Sequence, residues 1–233
     1  MSVKPRRATA LLRAGRPHRG WVNTPVTRAS TFIYDNVEHW RDVRARREQE
    51  RTEDSARRAA VRQALETGRF PSVAVESSAA PSDTPAMGYA RKFVEQFRGG
   101  RTVLVLLGGT GCGKTTAATW IARQIGRSSP QFVRAARLAV DSAFADGFRA
   151  MLDDRYMVVL DDLGVEYLDA KGAFAAKLDL LVDTFYGDRR PLVITSNLSA
   201  PDLKTRVGER VWSRLCECAS IEQCGSTDLR RAP

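Results

Sequence analysis

A three-layer α/β domain around a parallel sheet is the fold class predicted for residues 89–233 of this 233-residue chain, and three observations predict it. Short apolar runs recur, TVLVLL at 102–107, YMVVLDD at 156–162 and PLVITSN at 191–197. They lack the in–out alternation of a sheet with one face in water, so each is expected to be buried on both faces. Segments with helical apolar spacing separate them, as in Phe174, Leu178, Leu181 and Phe185. A glycine cluster, GGTGCG at 108–113, stands between the first run and the first helical segment, at the point where βα units turn.

Taken in order, residues 1–70 form a basic, partly helical N-terminal region with 16 Lys/Arg against 8 Asp/Glu, whereas the remainder carries 21 against 19. Most of the net charge of +10 therefore sits in the first third. Such an arm is either a contact for nucleic acid or an acidic partner, or a solvated tail. Its first 34 residues look irregular; then Val37, Trp40 and Val43 recur at three-residue spacing, and Ala56, Ala59, Ala60, Ala64 and Leu65 form a second helical patch. A stripe this thin buries little alone and predicts docking on the main domain or on a partner. Residues 71–88 hold three prolines and a Ser/Ala cluster, the composition of a linker or extended strap.

From Tyr89 to Phe97 a helix is expected, followed by the strand TVLVLL. The segment Thr115–Gly126 reads as a helix with Ala117, Ala118, Ile121, Ala122 and Ile125 on one face. FVRAA predicts a strand, LAVDSAFADGFRAML a helix, YMVVLDD a strand, FAAKLDLLVDTFY a helix and PLVITSN a further strand. No stretch approaches the roughly 20 apolar residues of a membrane span, so a cytoplasmic placement is expected. Cys112, Cys216, Cys218 and Cys224 lack paired C-x-x-C spacing and read as reduced thiols.

The chemistry concentrates in three places. Gly108, Gly109, Thr110, Gly111, Cys112, Gly113, Lys114 and Thr115 satisfy G-x-x-x-x-G-K-[ST] between a strand and a helix. Glycines there let successive amides converge on phosphate oxygens, and the helix N-terminus adds partial positive charge. Gly108 through Thr116 are thus the candidate nucleotide-binding residues, with Lys114 on the terminal phosphates and Thr115 on Mg²⁺. Cys112 has two readings, a small residue in a tight loop or a reactive thiol at a helix N-terminus.

MVVLDDLG places Asp161 and Asp162 at the end of a buried strand, where open α/β sheets bind ligands. Asp161 is the candidate metal residue and Asp162 the candidate for polarising an attacking water. In LVITSN, Asn197 is placed to reach both a γ-phosphate and that water, although Ser-Asn before a helix is also an ordinary cap signal. Arg210 and Arg214 share a helix face, as surface ion-pair partners or, for Arg214, as a cation reaching a neighbouring subunit's ATP.

With these residues in view, the segments GGTGCGKTT, VVLDDLG, ITSNLS, GERVWSRL and DLRR, in this order, resemble the DnaC/IstB-like branch of AAA+ ATPases, helicase loaders and transposition helper ATPases. The resemblance spans about residues 88–231. It implies a five-stranded parallel sheet in the order 5-1-4-3-2, ATP and Mg²⁺ as cofactors, Asn197 as sensor 1, Arg214 as an arginine finger and Arg230 as a sensor 2 residue. It also implies ATP-favoured homo-oligomers on single-stranded DNA, with the N-terminal region gripping a replicative helicase, or a transposase in the IstB-type alternative. The chain departs from the pattern in having Asp162 where many relatives have Glu, which implies slow hydrolysis. Thr184 and Phe185 stand where loaders often carry an Arg pair, and the stretch before MVVLDD leaves little room for an inserted helix. A small-molecule P-loop kinase fits the length and the loop, but no Arg-rich lid is evident. A non-hydrolysing DNA-holding adaptor would use the basic arm and keep nucleotide as a structural group.

Overall fold

The computed structural model describes residues 24–97, 101–127, 129–140, 144–164 and 173–229, with side chains from residue 39 onward except at 140, 144–146 and 173. The chain divides into two compact units, 1–57 and 58–233. Helix α1 (Thr24–Thr67) begins in the first and ends in the second. Over 39–57 its side chains are exposed apart from a half-buried Val43, and Trp40 is 62% exposed. Val37 lies outside the residues with described side chains.

In the second unit, β1 (Val103–Leu107), β2 (Pro130–Arg134), β3 (Met157–Leu163), β4 (Leu192–Ser196) and β5 (Ala219–Gln223) form one parallel sheet in the order β2-β3-β4-β1-β5. This is the expected 5-1-4-3-2 arrangement read from the other edge. Each central strand feeds two cores, one per face. Val103, Val105 and Leu107 pack with Val158, Leu160 and Ile194 beneath α7 (Ala173–Gly187) and α8 (Ala200–Cys218). Leu104 and Leu106 pack with Val159 and Val193 beneath α3 (Pro85–Gln96) and α4 (Lys114–Ile125), joined by Leu65 of α1. Burial on both faces is why these strands read as unbroken apolar runs.

Several boundaries differ from the sequence reading. Helix α3 starts four residues before Tyr89, because the Thr84 hydroxyl accepts from Met87 N at 3.2 Å and Pro85 opens the first turn. Within residues 71–88, α2 (Ser72–Ser77) buries Ala74 and Val75, and Arg123 of α4 donates to Val75 O at 2.7 Å. The single helix expected over LAVDSAFADGFRAML is two, α5 (Ala135–Val140) and α6 (Phe144–Asp154). Helix α8 is interrupted at Gly208, whose φ of 82° leaves the helical region.

At its C-terminus, α1 closes with Phe70 N donating to Leu65 O and Arg69 N to Glu66 O, at 3.1 and 3.0 Å, with Arg69 at φ 63°. The turn then lies on the sheet edge, where Phe132 N donates to Gly68 O at 2.8 Å. No described helix is long and apolar enough to cross a membrane.

Candidate functional site

The C-terminal ends of β1, β3 and β4 converge because the three strands are neighbours in register. The loop after β1 is fastened on both sides. Gly108 N donates to Ser196 O at 3.1 Å, and Gly109 N to Gly225 O at 2.9 Å. Gly111 has a φ of 82°, which strains any other residue, and a Cβ there would lie 1.9 Å from Asp228 Oδ1, so a side chain would also have to displace the Asp228 carboxylate. Gly113, at φ 89°, then turns the chain into α4.

Lys114 opens α4 and folds back into the loop. Its ammonium, 5% exposed as a residue, donates to Gly108 O at 2.8 Å, Gly109 O at 2.7 Å and Asn197 Oδ1 at 2.9 Å. Asn197 Nδ2 in turn donates to Asp162 Oδ1 at 3.2 Å, so a continuous chain of hydrogen bonds joins Lys114 to Asp162. Cys112 is buried, with Lys114 Nζ 3.6 Å from its sulfur, and shares a core with Cys224, whose thiol burial pushes up to about 12.

The acidic pair sits in a bulge. Pairing of β3 with β4 passes from Leu160↔Ile194 to Leu163↔Ser196, so Asp161 and Asp162 together oppose Thr195. Thr195, fully buried, fills the gap: its hydroxyl donates to Asp161 Oδ1 at 2.7 Å and accepts from Asp162 N at 3.0 Å. Thr115 Oγ1 donates to the same Asp161 oxygen at 2.9 Å. Asp162 adopts φ 58°, a left-handed conformation that costs a non-glycine residue roughly 1 kcal/mol. Burial pushes the Asp161 carboxyl above its ordinary value, and the hydroxyl donors of Thr195 and Thr115 work against that rise.

These groups face a cavity of about 600 Å³. Its phosphate-loop side carries Thr110, Gly111, Gly113, Lys114, Thr115 and Thr116. Asp161, Asp162 and Asn197 close the strand ends, while Val73, Met87 and Leu229 supply apolar surface. The volume falls in the usual range of small-ligand sites, roughly 300–1,000 Å³. Of the expected residues, Arg214 is not part of this wall; it sits on α8 with Nε 3.0 Å from Asp183 Oδ1 of α7. Arg230 lies outside the described residues.

Three contributors had gone unassigned by sequence reasoning. Thr195 carries a signal in retrospect, as a polar residue inside an otherwise apolar strand. Arg134 ends β2 beside Asp161 and lines the same cavity, a proximity that only strand order reveals. The segment 225–229 touches the loop glycines through backbone geometry with no residue-type signature.

No protein-family model matches the chain, and no curated protein does either. Solved structures do. The replication initiator DnaA bound to AMPPCP and single-stranded DNA is 17% identical, covering 61% of this chain and 47% of its own, with a TM-score of 0.51. DnaI is 20% identical over 59% of this chain and 82% of its own, with a TM-score of 0.50. The chain has the AAA+ fold. A DnaC helicase loader is 23% identical over 58% of this chain and 86% of its own, at a TM-score of 0.48. The likeness is one of fold, and it covers just under half of DnaA. Within the AAA+ fold, the loop after β1, the bulge of β3 and the end of β4 are the positions at which the expected residues fall.

Proposed function

We propose that this protein is an ATP-dependent helicase loader, which binds single-stranded DNA and a replicative helicase and is switched by ATP binding and hydrolysis. The observation that carries the reading is the unbroken chain Lys114–Asn197–Asp162 across two strand ends and the glycine loop. A group that reaches Lys114 is felt at Asp162, which suits a switch better than a static cradle.

The residues present fit ATP and Mg²⁺. Gly111 and Gly113 hold positive φ at a helix N-terminus, and Asp161 offers a carboxylate beside the Thr115 hydroxyl, the hard-oxygen pairing Mg²⁺ takes. Thr115 and Asp161 would hold the metal, which when bound neutralises charge on the β- and γ-phosphates. Lys114 exchanges its carbonyl acceptors for phosphate oxygens. Asp162 orients and polarises the attacking water, and Asn197 senses the terminal phosphate through the same amide that reads Lys114. Arg214 serves a neighbouring copy, so assembly and turnover are coupled. Residues 1–70 dock the helicase, 71–88 join them to the ATPase domain at 89–233, and the protein works in the cytoplasm.

That DnaA is solved with both an ATP analogue and single-stranded DNA supports DNA as a partner of this fold. Calorimetry with Mg-ATP, followed by co-purification from the native host, tests the reading. Nucleotide binding with recovered helicase is expected; recovered transposase points to the IstB-type helper, and no nucleotide uptake by folded protein overturns both.

A further inference from the structure

A second recess adjoins the nucleotide cavity. It measures about 640 Å³ and lies between the turn that ends α1 and the outer strand β2. Pro71 and Arg134 line both cavities, so the two lie side by side with these residues between them. Its floor is apolar, with Pro71, Phe132 and Val133, and its rim is Arg69, Arg134 and Arg137, with no carboxylate among the described lining residues. A smaller recess of about 290 Å³ shares Arg69 and Gln131 with it and reaches Arg155, and Asp154 is the one acidic residue among its described walls.

We infer that this arginine-rimmed groove along β2 seats a single-stranded nucleic acid, with Arg69, Arg134 and Arg137 taking its phosphates. The inference deepens the DNA part of the proposed function and rests on it. Charge complementarity selects a polyanion, and the cations are all arginines, whose planar fork pairs with phosphate oxygens in bidentate fashion. An apolar floor below a cationic rim suits a strand whose bases can leave the stack and settle against protein. A duplex keeps its bases paired and cannot lower them into a recess. Arg134 belongs to both sites, and β2–β3 register sets it opposite Asp161, so an occupied groove acts on the residue nearest the metal position.

The geometry of Arg69 offers a clean variant. At φ 63° a glycine relieves strain and removes the charge, so Arg69→Gly preserves the turn. Arg137→Gln keeps hydrogen-bonding capacity while removing the second charge. Neither residue lines the nucleotide cavity.

The experiment measures anisotropy of dye-labelled oligothymidylate with the full chain, Mg²⁺ and a non-hydrolysable ATP analogue, at several salt concentrations. Arg69→Gly/Arg137→Gln is expected to weaken oligonucleotide binding at least tenfold and to lower the log–log salt slope by about 1.4, two contacts at roughly 0.7 each. Its nucleotide affinity by calorimetry should stay within about twofold of wild type, which shows that the fold is intact. Unchanged affinity and slope in this variant overturn the groove and leave the ATP switch standing. The same holds if Arg44→Gln/Arg47→Gln on α1 abolishes binding while the groove variant retains it, or if an acidic peptide outcompetes the oligonucleotide. Wild-type protein that takes up nucleotide but no single strand removes the groove and the DNA partner together, with the nucleotide site untouched.

Discussion

Two cations of this chain, Lys114 and Arg214, sit in opposite circumstances. Lys114 is enclosed, with three oxygen acceptors at 2.7–2.9 Å supplied by the loop and by the end of β4. Arg214 is about one-third exposed, and its Nε lies 3.0 Å from Asp183 Oδ1, an oxygen that finds no aligned hydrogen-bond donor among the described residues. One cation is held by geometry, the other by proximity alone. The difference separates a residue whose job is complete within one copy from one whose proposed job needs a second copy. A loose ion pair on a half-exposed helix face exchanges readily for a better anion, whereas three short bonds fix a position.

The largest effect tests the enclosed side. Lys114→Ala should lower Mg-ATP affinity by at least about 100-fold, which is roughly 2.7 kcal/mol, because a charge-assisted contact to the terminal phosphates is lost. Calorimetry on folded protein reads this directly. A loss of less than threefold would make the loop a structural turn.

The enclosed side was also the legible one. The apolar runs predict β1, β3 and β4, and the helical spacing predicts α4. The loop, the acidic pair and Asn197 stand at the ends of those strands, whose side-by-side order came from the family resemblance. The fifth strand had no comparable signature: in ASIEQ, Ser220 and Glu222 alternate with apolar residues, and the strand is an edge, half-buried. Its place in the sheet came from the family resemblance. The bulge that sets Asp162 at positive φ was invisible, because it depends on Thr195, more than 30 residues away, filling a gap between two strands. Helix starts slipped for local reasons, as at Thr84. The ion pairs of Arg214 and Arg210 were open alternatives from spacing on α8, and only the packing of α7 against it supplied Asp183 and Asp179.

The next effect breaks or confirms the loose side. Arg214→Ala should leave nucleotide affinity within about twofold, yet lower turnover at least tenfold, roughly 1.4 kcal/mol, at protein concentrations where copies assemble. Mixing sharpens it. A Lys114→Ala copy binds no nucleotide but retains its own Arg214, so adding it to Arg214→Ala protein should restore part of the turnover. Absence of any rescue, with assembly intact by light scattering, would confine Arg214 to the α7–α8 ion pair.

A smaller effect concerns Asp161, which stands on the enclosed side as an anion. Burial raises its folded pKa above the unfolded value, so any stability it contributes is present at low pH and lost as pH rises through the folded value. At neutral pH its ionised form therefore opposes folding. Asp161→Asn should raise the melting temperature of nucleotide-free protein, by about 2–4 °C for each kcal/mol gained, while weakening metal-dependent nucleotide affinity. For wild type, Mg²⁺ dependence should fade on acidification at a higher pH than an exposed aspartate would show. A variant that melts lower than wild type at pH 7 would mean that the hydroxyl bonds from Thr195 and Thr115 outweigh desolvation.

The smallest effect lies one helical turn from Arg214. Arg210 pairs with Asp179 Oδ2 at 2.9 Å, but the arginine side chain is 80% exposed and that of Asp179 only 16%. The other carboxylate oxygen, Oδ1, is buried without a hydrogen-bond partner among the described residues. Attraction across such a pair is screened by water on the arginine side, while the desolvation cost falls on the aspartate side. The two contributions are of similar size and opposite sign. Asp179→Asn should accordingly shift unfolding by no more than about 0.5 kcal/mol, read from denaturant midpoints at unchanged slope. A destabilisation several times larger would mean that α7 and α8 are locked together by charge. Arg214 would then stand in a rigid network, and its exchange from Asp183 to a neighbour's phosphate would carry a cost that assembly has to overcome.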